Sequence, residues 1–141
     1  MSQIKNKILI VDDEPNIVLA IDFLMQKRDL STAKAFNGES ALLLVKSFQP
    51  NIVILDVMMP GIDGFEVAQE IRKYPDNDYI RIVFLTAKGT EKDKMQGYLT
   101  GGDIYLTKPF DAEELNLRVN NLLDIRELLK QRFYSSVQSQ P

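Results

Sequence analysis

One unit recurs five times along this chain: a short run of strand-forming residues, a polar turn, then a stretch with apolar residues at helical spacing. The runs occupy residues 7–11, 31–35, 52–55, 80–85 and 103–106. Ile52, Val53, Ile54 and Leu55 leave no polar position on either side, so that run is a strand buried on both faces, the kind found inside a parallel sheet. Strand and helix alternating over short connections predict parallel strands joined by right-handed crossovers, with helices on both faces.

The helical stretches carry their own punctuation. Residues 15–28 place Ile17, Ile21, Leu24 and Met25 on one face, with Pro15 in the first turn and Lys27 and Arg28 in the last. Val18, Leu19 and Phe23 add more apolar surface than one face needs. Asn37-Gly38 opens a helix over 39–48, with Ala41, Leu44, Val45 and Phe48 spaced i, i+3, i+4, i+7. Asp63-Gly64 opens another, with Phe65, Ala68 and Ile71 inward. Residues 75–78 form a connection, and residues 91–99 form a short charged helix that Gly101-Gly102 breaks. The last helix starts near Asp111 and runs well past Leu123. Leu122, Ile125 and Leu129 keep helical spacing there, with Phe133 beyond them. This extension reads equally as a short coiled coil or an amphipathic overhang. Residues 1–124 are therefore expected as one domain, and 125–141 as a helical extension with a linker-like end from Ser135.

Composition narrows the chemistry. A length of 141 residues suits one domain. A net charge of −3 offers no electrostatic basis for direct nucleic-acid binding. The chain has no cysteine and no histidine, which excludes thiolate chemistry, histidine-based triads and the usual zinc sites. No apolar run approaches the roughly 20 residues that span a bilayer, and Met1-Ser2-Gln3 begins no signal peptide, so a cytoplasmic, membrane-free setting is expected. Carboxylates, hydroxyls, lysine and a metal remain.

In a doubly wound sheet the ligand crevice lies outside the carboxyl ends of the strands. In the order 2-1-3-4-5, four neighbouring strands end in Asp12-Asp13, Asp56, Thr86 and Lys108. Three carboxylates that close repel one another and hold protons more tightly. A hard divalent cation with oxygen ligands resolves this. A carboxylate nucleophile beside a metal, an ammonium and a hydroxyl is suited to accepting a phosphoryl group. Taken singly, each piece has a plainer reading: Asp12-Asp13-Glu14-Pro15 as a helix cap, Asp56 as a loop-starting acid, Thr86 as an N-cap, Lys108-Pro109 as a turn and Tyr105 as a strand aromatic. The joint occurrence at adjacent strand ends favours the phosphoacceptor.

These residues carry a resemblance. IVDDEPN (10–16), VILDVMMPGIDG (53–64), FLTA (84–87) and DIYLTKPF (103–110) are similar, in order and spacing, to the receiver domain of bacterial two-component response regulators. The resemblance covers residues 7 to about 124. It implies a flavodoxin-like, doubly wound five-stranded parallel sheet of order 2-1-3-4-5. It implies that Asp56 is the phosphoacceptor and that Asp12, Asp13, Asp56 and the Met58 backbone carbonyl hold Mg²⁺, or alternatively Mn²⁺. Thr86 is then the switch hydroxyl, Tyr105 the switch aromatic and Lys108 the phosphoryl-binding cation, with a cis Lys108–Pro109 bond. The implied phosphodonor is a histidine kinase or phosphotransfer protein. The apolar excess on the first helix, Val18 and Leu19, reads equally as a broad core face or, with Ile17 and its neighbours, as a surface that docks the helical phosphodonor. Phosphorylation is expected to alter the face made by the fourth helix, fifth strand and fifth helix, where a second copy can dimerise. Such a domain is regulatory rather than an enzyme in the ordinary sense, although it catalyses its own phosphorylation and dephosphorylation. Two departures are Ile104, where the family often has a second acid, and Gly102 in place of alanine, expected to loosen the approach to the last strand.

Three other readings compete. A metal-dependent aspartyl-phosphate phosphatase expects an acid two positions after the nucleophile, where Met58 stands. A flavin site needs a Ser/Thr/Gly-rich first loop, whereas Asp12-Asp13-Glu14 repels a phosphate. A phosphorylation-independent docking domain has no need of the intact Asp12, Asp13, Asp56, Thr86 and Lys108.

Overall fold

The computed structural model of the protein describes residues 5–138, and within the last helix it leaves the side chains at positions 126, 130, 131 and 133–138 undescribed. Strands β1 (Lys7–Val11), β2 (Ser31–Ala35), β3 (Ile52–Leu55), β4 (Arg81–Thr86) and β5 (Ile104–Thr107) form one parallel sheet in the order β2-β1-β3-β4-β5. This is the expected order. The last two strands each begin and end one residue later than their apolar runs suggest. Thr86 and Thr107 pair across the ladder, because backbone pairing does not stop where side-chain polarity changes.

Alternation along the strands sorts the core. Leu9, Val11, Val53, Leu55, Ile82 and Phe84 join Ala41 and Val45 of α2 (Gly38–Phe48) and Phe65, Val67, Ala68 and Ile71 of α3 (Gly64–Arg72) in one apolar cluster. Ile8, Ile10, Ile54, Val83 and Leu85, at the alternate positions, are also buried. Burial on both faces is why these strands read as continuous apolar runs.

Helix α1 (Pro15–Gln26) lies against β1 and β2 and buries Val18, Ile21, Asp22 and Met25. Here the structure corrects the sequence. Val18 is fully buried and belongs to the core, so it offers nothing to a docking partner. Ile17 and Leu24 are half-buried, and Leu19 and Phe23 are the exposed pair. The helix also closes at Gln26, with Lys27 as its cap and its N–H on the Phe23 carbonyl. Asp22 is held by Thr32 at 2.5 Å, Gln26 at 3.0 Å and Lys34 at 3.4 Å, a polar latch between α1 and β2.

The caps follow local chemistry. Asn37 accepts from the Ser40 N–H at 2.8 Å to start α2. Asp63 with Glu66, and Thr90 with Asp93, form capping boxes for α3 and for α4 (Glu91–Leu99). The cap of α4 is thus Thr90 rather than Thr86. Gly101 adopts φ +115° just beyond α4, a conformation that side chains disfavour. At the pole opposite the strand mouths, Asp103 accepts from Arg72 at 3.2 Å, Arg81 at 3.2 Å and the Ile82 N–H at 2.8 Å, tying α3, β4 and β5 together.

The described residues divide into two compact units, one ending at Phe110 and the other beginning at Asp111. The second contains α5 (Ala112–Gln138), whose first turn is capped by the Asp111 carboxylate on the Glu113 N–H at 2.8 Å. Ile125, Leu128 and Leu129 are exposed on it. The helix continues through 135–138, where composition predicts a linker, because extending a formed helix costs far less than starting one. Residues 139–141 of that stretch lie outside the described residues.

Candidate functional site

The parallel ladder runs one step past the strands and fixes three site residues by their backbones. The Asp12 N–H reaches the Ala35 carbonyl at 3.2 Å, Asp56 reaches Val11 at 2.9 Å and Lys108 reaches Thr86 at 2.9 Å. The side chains of Asp12, Asp56 and Lys108 therefore emerge from rigid backbone at one rim. Both buried aspartates use the same local geometry. Oδ1 of Asp12 accepts from the Glu14 N–H at 2.9 Å, and Oδ1 of Asp56 accepts from the Met58 N–H at 3.2 Å. Such turns are a habit of aspartate, and they leave each Oδ2 facing the crevice. Lys108 Nζ takes both, Asp12 Oδ2 at 2.7 Å and Asp56 Oδ2 at 3.4 Å. Asp12 is thus not a side-chain cap of α1; Glu14 is the cap residue, without a side-chain bond.

Electrostatics follow from burial. Asp12 and Asp56 are 2% and 3% exposed, which makes their charges costly unless paired. Burial pushes the Asp56 carboxyl above the usual range and the Asp12 charge pushes it further. The Thr86 hydroxyl, Lys108 and the Met58 N–H act the other way and only partly offset this. Burial pulls Lys108 down, but the Asp12 hydrogen bond and the charges of Asp56 and Asp12 outweigh it, so its ammonium sits above the ordinary lysine range. Asp13 is exposed at the rim. Asp12, Asp13 and Asp56 each offer a carboxylate oxygen, and these lie within 4.8 Å of one another. Three carboxylates against one ammonium leave an anionic excess with hard oxygen donors only, a donor set that fits Mg²⁺ or Mn²⁺.

Thr86 is fully buried, and its hydroxyl accepts from the Lys88 N–H at 3.3 Å. Tyr105 is buried, and its hydroxyl donates to the Lys88 carbonyl at 2.6 Å. Burial, with the charges of Asp93 and Asp56, pushes the Tyr105 phenol up to about 12. The Lys108–Pro109 bond is cis, as expected. Met58 points outward at 53% exposure, while Val57 and Met59 on either side are buried. A cavity of about 360 Å³ beside it is lined by Val57, Met58, Met59, Pro60, Asp63 and Lys88.

Two glycines support the site in ways that spacing does not reveal. A Cβ on Gly64 would lie 2.2 Å from the Asp56 carbonyl oxygen, so only glycine lets α3 begin this close to the Asp56 backbone. A Cβ on Gly102 would lie 2.5 Å from Phe84 Cε2 and 2.9 Å from the Gly97 carbonyl. Gly102 is therefore a close-packing position, not a loose one as expected from its replacement of alanine. Both requirements depend on what stands opposite in space.

Comparison with known proteins agrees with this geometry. The family model described as response regulator receiver domain matches residues 8–120. The chain is 42% identical over 119 residues to the probable transcriptional regulator ycf27 of Cyanophora paradoxa, covering 84% of this chain and 48% of that protein. It is 39% identical over 117 residues to the DNA-binding dual master transcriptional regulator RpaA of Synechocystis, covering 83% and 48%. The chain thus spans about half the length of the curated relatives it matches. Among solved structures, the receiver domain of the Francisella response regulator 1452 superposes with a TM-score of 0.80 at 32% identity, covering 86% of this chain and 99% of that one. No helix among the described residues is long and apolar enough to cross a membrane. A family match across most of the chain, relatives of this identity and a fold shared with solved receivers make the chain a member of the response regulator receiver family, a regulatory domain of two-component signal transduction.

Proposed function

We propose that this receiver accepts a phosphoryl group on Asp56 from the phosphohistidine of a histidine kinase or phosphotransfer protein, and that the acyl phosphate alters the face formed by α4 and β5. The observation that carries the reading is Lys108 Nζ set between Asp12 Oδ2 and Asp56 Oδ2 at 2.7 and 3.4 Å, at the mouths of neighbouring strands. In the transfer an Asp56 oxygen forms a bond to phosphorus as the phosphorus–nitrogen bond breaks, and the nitrogen electron pair stays with the departing imidazole. The Lys108 ammonium offsets charge on the phosphoryl oxygens as they pass from donor to acceptor. Asp12, Asp13, Asp56 and the Met58 carbonyl would hold Mg²⁺, or Mn²⁺, which when bound supplies Lewis-acid neutralisation of those same oxygens. The Thr86 hydroxyl can exchange its Asp56 contact for a phosphoryl oxygen, and the segment from Thr86 to Lys88 then shifts. Hydrolysis of the acyl phosphate on the same domain resets it.

A phosphatase acting on outside substrates fits less well, because Met58 stands where a proton-transferring acid is needed. The test is incubation with Mg²⁺ and acetyl phosphate, read by intact mass, with Asp56→Asn as control. One Mg²⁺-dependent phosphoryl adduct on wild type alone is expected. Absence of any adduct leaves a phosphorylation-independent docking domain, and turnover of unrelated phosphomonoesters favours the phosphatase. Sedimentation of the phosphorylated chain tests whether a second copy occupies the altered face.

A further inference from the structure

We infer that Gly38, at the start of α2, is a positioning residue for the metal site. It forms the notch in which Ile62 seats the loop that carries Met58. The loop covers residues 57–63, between β3 and α3. Its ends next to the strand are fixed by hydrogen bonds, from the Gly64 N–H to the Val57 carbonyl at 2.9 Å and from the Met58 N–H to Asp56 Oδ1 at 3.2 Å. Its outer stretch is seated by apolar side chains. Met59 belongs to the core cluster, Gly61 turns the chain at φ +80°, and Ile62 packs back against the cluster.

The place where Ile62 lands is shaped for it. A Cβ on Gly38 would lie 2.5 Å from Ile62 Cγ1, 2.9 Å from Ile62 Cδ1 and 2.8 Å from Val67 Cγ2. Carbon atoms do not approach that closely, so Ile62 fills the volume that any side chain at position 38 would need. Gly38 has no room to retreat: it is buried, and the Asn37 side chain fixes the first turn of α2 through the Ser40 N–H at 2.8 Å. Val67 of α3 is fully buried and cannot yield either. Ile62 is half-buried on a loop, so it is the neighbour that moves. Whether its side chain swings out or its backbone shifts, the loop loses its outer anchor. The Met58 carbonyl then loses its fixed position, whereas Asp12, Asp56 and Lys108 keep theirs, because the strand ladder holds their backbones. Groups behind a metal ligand set its orientation, and affinity falls when they are lost. That the Met58 carbonyl is a ligand rests on the function proposed above; the seating of the loop does not.

The experiment measures Mn²⁺ binding to the full chain by electron paramagnetic resonance, and amide hydrogen exchange of the same chain without metal. Gly38→Ala should weaken Mn²⁺ binding on the order of tenfold, the scale on which loss of a ligand's support acts. It should also speed exchange across residues 57–64 in the metal-free chain. Ile62→Ala removes both clashing atoms of the loop, so Gly38→Ala added to it should weaken binding little further. Val67→Ala relieves only the contact with α3, so with Gly38→Ala it should leave Mn²⁺ affinity low. Equal weakening by Gly38→Ala with and without Ile62→Ala overturns the inference, as does rescue by Val67→Ala alone. Unchanged Mn²⁺ affinity or unchanged exchange at 57–64 in Gly38→Ala overturns it too. An unfolded Gly38→Ala with a folded Gly38→Ala/Ile62→Ala supports the notch; if both unfold, Val67 rather than Ile62 decides the packing and the inference falls. A wild type that binds no Mn²⁺ counts against the proposed metal site, and the seating of the loop then stands or falls on the exchange result.

Discussion

Replacing Lys108 by methionine probes the site most directly, because it removes the charge and keeps the length of the side chain. At an effective dielectric of 20, the gross attraction is about 6 kcal/mol to Asp12 at 2.7 Å and about 5 kcal/mol to Asp56 at 3.4 Å. Desolvation of the ammonium and of two carboxylates that are only 3% exposed offsets much of this. Removing one partner of a buried pair costs about 3–5 kcal/mol, and the lower end applies because Lys108 retains 14% side-chain exposure. A loss of about 3 kcal/mol lowers the Tm by roughly 10 °C for a chain of this length. The loss has a signed pH dependence. Asp56 has a raised pKa in the folded state, so the folded chain binds its proton more readily than the unfolded one, and stability falls as pH rises from 3.8 through the folded value. Lys108 is one of the groups that limits this rise. Without it the penalty at neutral pH grows, and acidification recovers it. A divalent cation at 100 times its Kd contributes about 2.7 kcal/mol to the folded state, enough to restore most of the deficit. Circular dichroism melts at pH 7 and pH 5, with and without Mg²⁺, measure all three effects. An unchanged Tm at pH 7 without metal, or an equal loss at both pH values, would refute the reasoning.

Two further perturbations test supporting elements. Gly64→Ala forces a Cβ to 2.2 Å from the Asp56 carbonyl, so it should cost about 3 kcal/mol and slow acetyl phosphate labelling of Asp56; a Tm within a degree of wild type would show that the loop yields freely. Burial works to raise the Asp22 pKa, but hydrogen bonds from Thr32 and Gln26 and the Lys34 charge leave it lowered, so its contribution is present above pH 3.8 and lost as pH falls through the folded value. Asp22→Asn should cost about 2 kcal/mol at pH 7 and flatten the acid limb of the stability curve; an acid limb as steep as wild type contradicts this sign.

Some of this architecture can be read along the chain because it is written in consecutive residues. Ile52–Leu55 reads as a doubly buried strand since no polar side chain interrupts it, and Asp56 reads as exceptional since it closes that run. Asn37 and Asp63 act as caps through backbone N–H groups only three residues away, and Thr90 does the same for α4, where the sequence offered Thr86 instead. The face of α1 is different. Its apolar residues are visible, but whether Val18 or Ile17 enters the core depends on how the helix is rotated against β1 and β2. Asp103 likewise meets Arg72 and Arg81 across separations of 31 and 22 residues, which no local spacing announces.

The sequence alone determined the alternation of strand and helix, the chemical types at the strand mouths and the motifs that carry the resemblance to the receiver family. Tertiary structure alone decided that Asp12 and Asp56 each commit Oδ1 to a local turn and Oδ2 to one ammonium. It also decided that Gly64 and Gly102 face atoms too close for any side chain, and that Tyr105 lies over Gly97. The physical reason is range. Burial patterns and caps are set by neighbours in the chain, whereas electrostatic pairing and close packing are set by whatever the completed sheet brings opposite.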